Sequence, residues 1–158
     1  GTVESTITDE SAIIGEKIQL RRVTVVEAPR TAVYLHRTSK DLPPQIGVVV
    51  GYAGDDEKVA TSIAQHISFA EPVYVNRDEV PQADVDKERD IVTEISKNEG
   101  KPEAALPKII EGRLNAFFKQ IVLNEQEHAL DADKRPVAKV AEGAGITVTG
   151  FARGKVGA

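Results

Sequence analysis

The sequence predicts an α+β fold, a small antiparallel sheet covered by helices on one face, with an inserted antiparallel helical hairpin. Three observations predict it: runs rich in β-branched residues gather before residue 53, helix-period apolar stripes occupy the middle, and one further β-rich run closes the chain. Helices segregated from an antiparallel sheet form one of the few layer arrangements that bury an apolar face on each element. A chain of 158 residues, 41% of them hydrophobic, suffices for a single core.

Three runs read as the opening strands: Lys17 to Val26, Thr31 to Arg37, and Gln45 to Tyr52. In the third, Ile46, Val48, Val50 and Tyr52 share one face, while Gly47, Val49 and Gly51 share the other and leave it thin. The Glu27 to Arg30 link suits a hairpin turn. Pro43 and Pro44 make a rigid connector that a central strand cannot accommodate.

Asp55, Asp56 and Glu57 open a helix with negative charge at its positive end and an Asp available as N-cap. Val59, Ile63 and Ile67 recur every four residues, so one stripe packs on the sheet until Pro72 ends the helix. Val73 to Val75 is a short extended piece, and Asp78 to Pro81 caps the next helix. Residues 83–98 carry the narrow stripe Val85, Ile91, Val92 and Ile95. Gly100 and Pro102 break the chain, and 103–122 carry the broader stripe Leu106, Ile109, Ile110, Leu114, Phe117, Phe118 and Ile121. So short a link forces the two helices antiparallel, with Phe117 and Phe118 at the base and residues 98–102 at the tip. A short helix at 138–141 and a final strand from Ile146 to Phe151 complete the chain. The expected organisation is a lead-in segment over 1–16, an α+β core built from 17–76 and 123–158, and the hairpin insert over 77–122.

Composition removes several function classes. With no Cys there is no disulfide framework, zinc ribbon or thiol nucleophile. Acidic residues outnumber basic ones 25 to 20, for a net charge of −5, which argues against broad electrostatic binding to nucleic acid or anionic membrane. Seven aromatic residues, none interleaved with basic clusters, offer little for base stacking. No apolar run approaches the roughly 18 residues of a membrane span. The expectation is a soluble, cytoplasmic protein. Gly143-Ala144-Gly145 lacks the Lys-Ser/Thr continuation of a phosphate loop, and no nucleophile elbow occurs.

The three histidines, His36, His66 and His128, have no ligand-spaced neighbour, so neither metal nor cofactor is expected. On spacing alone His36 reads as a surface histidine at a strand end. His66 borders the packed stripe of its helix and reads as a partly buried structural residue. Arg21 and Arg22, adjacent in a strand, point to opposite faces and cannot form one patch. The acidic run from Asp84 to Asp90 is a solvated helix face. The residues favour a binding protein over an enzyme. A module that self-associates through its hairpin into a homodimer is the rival, and an enzyme built around His36 or His66 would need a deep pocket with converging titratable groups.

Several stretches nevertheless occur in an order that resembles a known family. They are Ile14–Val23 (IGEKIQLRRV), Tyr34–Thr38 (YLHRT), Leu42–Val49 (LPPQIGVV), Ile63–Ile67 (IAQHI), Asn76–Pro81 (NRDEVP), Gly100–Asn115 (GKPEAALPKIIEGRLN) and Val148–Phe151 (VTGF). Together they span nearly all of residues 13 to 151, and the chain resembles bacterial translation elongation factor Ts of the actinobacterial type. The resemblance implies a guanine nucleotide exchange factor for the GTPase elongation factor Tu, acting allosterically rather than as an enzyme. It also implies small antiparallel-sheet subdomains with a helical hairpin inserted in the second. This chain resembles that second subdomain, and Gly1 in place of Met fits a piece of a longer factor.

By position, the resemblance assigns Ile14, Gly15, Tyr34, Leu35 and His36 to the contact with the GTPase. Gly15 without a Cβ would permit close approach, Ile14 would bury apolar area, and His36 would offer a ring with a hydrogen-bonding edge. Three features depart from the family pattern. The Thr-Asp-Phe-Val segment of the first subdomain is absent, since Thr8-Asp9 continues with Glu10. The terminal Arg-Phe-x-Val-Gly becomes Arg153-Gly-Lys-Val-Gly157, losing an apolar anchor, and a Gln-Pro-aromatic stretch becomes Gln126-Glu127-His128. The chain is therefore expected to bind the GTPase yet to accelerate GDP release poorly by itself.

Overall fold

A computed structural model describes residues 1–157. Its elements in order are α1 (Val3–Ile14), β1 (Arg30–His36), β2 (Ile46–Ala53), α2 (Glu57–Ala70), α3 (Gln82–Asn98), α4 (Leu106–Ile121), α5 (Val137–Gly143) and β3 (Thr147–Lys155), with short 3₁₀ turns at Arg77–Glu79, Glu103–Ala105 and Leu123–Glu125. The strands form one antiparallel sheet in the order β1-β2-β3. The fold class is α+β, as the pattern predicts.

The sheet's inner face is the alternating set the sequence predicts. Ile46, Val48, Val50 and Tyr52 are buried, joined by Ala32 from β1 and Val148 from β3. Ala60, Ile63, Ala64 and Ile67 of α2 pack against them, with Val137 and Ala141 of α5, Val75 and Leu123. The α2 N-cap is Asp56, whose carboxylate accepts the Val59 N–H at 3.0 Å. The β2–β3 register shifts between Gly51 and Tyr52, which leaves Thr149 as an extra residue on β3. That bulge lets Val148 and Phe151, three positions apart, both lie against the core: Val148 pairs with Tyr52 and Phe151 with Val50.

One expectation needs correction. The predicted strand from Lys17 to Val26 does not form, so three strands and not four make the sheet. Its residues have strand propensity, but Ile18, Leu20, Val23 and Val25 are exposed and no neighbouring strand supplies a ladder. Its end and the residues that follow pass over Gly51 instead: a Cβ there would lie 2.8 Å from both Val26 Cγ1 and the Ala28 Cβ. Arg21 and Arg22 therefore do not occupy opposite faces of a strand. Within residues 1–16, Val3–Ile14 form helix α1, an element the sequence pattern does not mark. A capping box closes its start, with Thr2 accepting the Ser5 N–H and Ser5 accepting the Thr2 N–H. The helix buries no residue, which is why no apolar stripe marked it.

The C-terminal stretch is better anchored than its lost Phe suggested. Arg153, Gly154 and Lys155 continue β3 opposite Val48, Gly47 and Ile46. The Arg153 guanidinium donates to the Ser68 carbonyl at 3.0 Å and to Glu71 at 2.6 Å, tying β3 to the end of α2.

The helices α3 and α4 pack on one another. Val85, near the start of α3, shares a second apolar cluster with Val80, Phe118 and Val122, and Arg113 of α4 pairs with Glu99 just past α3 at 2.6 Å. Thus α4 returns along α3. Phe118 is buried and Phe117 partly buried in that cluster. Arg77 fastens the same end, its guanidinium 4.1 Å above the Phe118 ring while it donates to Glu125 and Asn115.

Candidate functional site

The residues singled out from the sequence fall into three places. Tyr34 and His36 lie two apart on β1, so their side chains share the face that carries buried Ala32. Both are half-buried, their rings lie 6.0 Å apart, and the Tyr34 hydroxyl is 3.0 Å from His36 Nδ1. When that hydroxyl donates, Nδ1 is the acceptor and Nε2–H is the donor left for another molecule.

Leu35 stands on the opposite face of β1. With Val33 it is 59% exposed, so the outer face of the strand presents two large aliphatic side chains. Strand alternation separates Leu35 from its two neighbours. Val33 is a surface residue the sequence reading missed, although its parity with Leu35 was available.

Ile14 and Gly15 close α1. Ile14 is 53% exposed, and Ile13 beside it 76%, so an apolar pair sits at the helix end. Gly15 is the C-cap in the left-handed region at φ 69, its N–H donating to the Ser11 carbonyl at 3.0 Å. A Cβ there would meet nothing within 4 Å, so within this chain its need is conformational. The Ser11 hydroxyl also accepts the Ile18 N–H at 3.2 Å, folding the start of the extended segment back on the helix.

His66 departs from its expected partial burial: it is 2% exposed, as enclosed as the core. His128, 62 positions further along the chain, lies beside it with ring centroids 5.4 Å apart. No spacing rule signals that meeting. Among the described residues no group of His, Asp and Glu is arranged to hold a metal, and no buried side-chain nitrogen or oxygen lacks a partner. Open hollows are lined by Glu57, Lys58, Thr61, Ser62 and Gln65 along α2, and by Gly54 to Lys58 with Ala144 and Gly145 at its start. Neither contains a histidine. No helix among the described residues is long and apolar enough to cross a membrane.

These places present an aliphatic strand face, a half-buried Tyr–His pair at the strand end, and an apolar helix terminus. The family model described as "Elongation factor TS" matches residues 1–158. Proteins named "Elongation factor Ts" from Leifsonia xyli subsp. xyli and Clavibacter michiganensis subsp. michiganensis are each 64% identical over 157 residues, and one from Tropheryma whipplei is 50% identical over 157 residues. Each match covers 99% of this chain and 56 to 57% of the relative, so the chain spans little more than half the length of these relatives.

Proposed function

The chain belongs to the elongation factor Ts family, and from that premise we propose that it binds the GTPase elongation factor Tu and takes part in guanine nucleotide exchange during protein synthesis. The observation that carries this reading is the family match along the whole chain, which includes the Tyr34–His36 segment. Binding would use Ile14 and Gly15 at the end of α1 and Tyr34, Leu35 and His36 on β1. The exposure of Ile14 and Leu35 supports that use, because both can still lose apolar area to a partner. The Tyr34 hydroxyl beside His36 supports a ring held in one orientation before contact, which limits the ordering cost on binding.

Exchange in this reading is linkage. A factor that binds the nucleotide-free GTPase more tightly than the GDP-bound form must, by the same coupling free energy, weaken GDP. No covalent step is needed. The chain acts in the cytoplasm, with residues 77–122 forming an inserted unit between the two parts of the core. Residues 1–158 alone bind but accelerate GDP release poorly, because the Thr-Asp-Phe-Val segment is missing from them. Immobilised chain should retain purified elongation factor Tu from nucleotide-free buffer and release part of it on adding GDP. Absence of retention in both buffers would refute the reading, and full acceleration in stopped-flow GDP release would refute its second half.

A further inference from the structure

His66 on α2 and His128 on the turn before α5 are 2% and 1% exposed, and each is held at both ring nitrogens. The Ala129 N–H donates to His66 Nδ1 at 3.2 Å, and the Leu130 N–H donates to His128 Nδ1 at 3.1 Å. A backbone N–H can only donate, so each Nδ1 must be a bare acceptor. The neutral rings then carry their protons on Nε2, and both Nε2 atoms face a group that accepts. His66 Nε2 lies 2.8 Å from Gln126 Oε1, and His128 Nε2 lies 3.1 Å from Ser62 Oγ.

Those acceptors are themselves oriented. Gln126 Nε2 donates to the Gln120 carbonyl in α4 at 2.8 Å, and the Ser62 hydroxyl donates to the Val59 carbonyl at 2.8 Å. A second proton on either ring would go to Nδ1 and set donor against donor. It would also place a cation beside a second ring, away from water. The charged groups acting on His128, Asp131 and Arg135, come from the turn and bind each other at 2.7 Å. From α2 the pair meets Ser62 and Phe69, and from the end of the Leu123–Glu125 turn it meets Gln126.

We propose that His66 and His128 form a pH-sensitive latch: the two neutral rings hold the turn 126–135 on α2, and proton uptake by either ring releases it. Burial is the main cause that lowers the pKa of both rings, and for His128 the nearby His66 adds to it. The folded rings thus bind fewer protons than free imidazoles, so the latch is complete above about pH 6.5, where a free imidazole titrates, and weakens as pH falls below it. Release would be felt in α4, because Gln126 links His66 to the Gln120 carbonyl.

Amide hydrogen exchange of the whole chain, corrected for the intrinsic pH dependence of exchange, tests this at Ala129 and Leu130. Their opening constants should rise about tenfold per pH unit below pH 6 for each proton taken up. Long-range ¹H–¹⁵N spectra of histidine-labelled protein at pH 7 should show both rings as Nε2–H tautomers. A flat pH response at these two amides, or an Nδ1–H tautomer on either ring, would overturn the latch. In His128→Phe only His66 can titrate, so the slope should not exceed one decade per unit. A steeper slope in that variant would also overturn it. The wild-type readings decide the matter even if the variant does not fold.

Discussion

Replacing Phe118 by Ala should loosen the two long helices while leaving the sheet core nearly intact. Phe118 is 8% exposed and fills the cluster made with Val80, Val85 and Val122, beside the partly buried Tyr74, Phe117 and Ile121. Removing a buried Phe costs about 3 to 5 kcal/mol, and the lower end applies here because the cluster lies between two helices that can close on the gap. About 0.5 to 1 kcal/mol of that belongs to the Arg77 guanidinium over the ring. Phe118→Leu, which keeps most of the volume, should cost about 1 to 1.5 kcal/mol. The separation of the two apolar clusters makes the loss local. In native-state hydrogen exchange, amides of α3 and α4 should lose protection about a hundredfold, following about 3 kcal/mol, while those of β2 and α2 change far less. A total loss under about 1 kcal/mol, or equal losses in both clusters, would refute the reasoning.

Three further perturbations probe other parts of the account. Gly51→Ala places a methyl 2.8 Å from Val26 and Ala28, so the extended segment must lift; a stability loss of about 1 kcal/mol and faster tryptic cleavage after Arg21 are expected, and unchanged digestion would contradict the crossing. His36→Ala should weaken the complex with elongation factor Tu by about 1 to 3 kcal/mol in calorimetry, while unchanged affinity would return His36 to an ordinary surface histidine. The side-chain hydrogen bond from Arg135, followed by that from its backbone N–H, lowers the Asp131 carboxyl to about 2. Its contribution is complete above the usual carboxylate range and is lost as pH falls through about 2, so Asp131→Asn should flatten acid denaturation there; an identical acid limb would exclude the pairing.

Elements whose partners are near in sequence were legible. The alternation Ile46, Val48, Val50, Tyr52 and the four-residue stripe of α2 each report one face, and both faces are buried where expected. The segment Lys17–Val26 has β propensity but no neighbouring strand, so its apolar residues stay exposed. Helix α1 escaped notice because it buries nothing and only the Thr2–Ser5 capping box marks it. At the site, parity would have set Leu35 apart from Tyr34 and His36. The meeting of His66 with His128 had no local signal, since only the packing of α2 against the turn before α5 brings the rings together.

If this chain recognises elongation factor Tu as proposed, it must also distinguish the GTPase's nucleotide states. Titration calorimetry of residues 1–158 into nucleotide-free and into GDP-bound elongation factor Tu tests it most directly. Tighter binding to the nucleotide-free form is the predicted result. Equal affinity for the two forms, or no binding to either, would contradict the account.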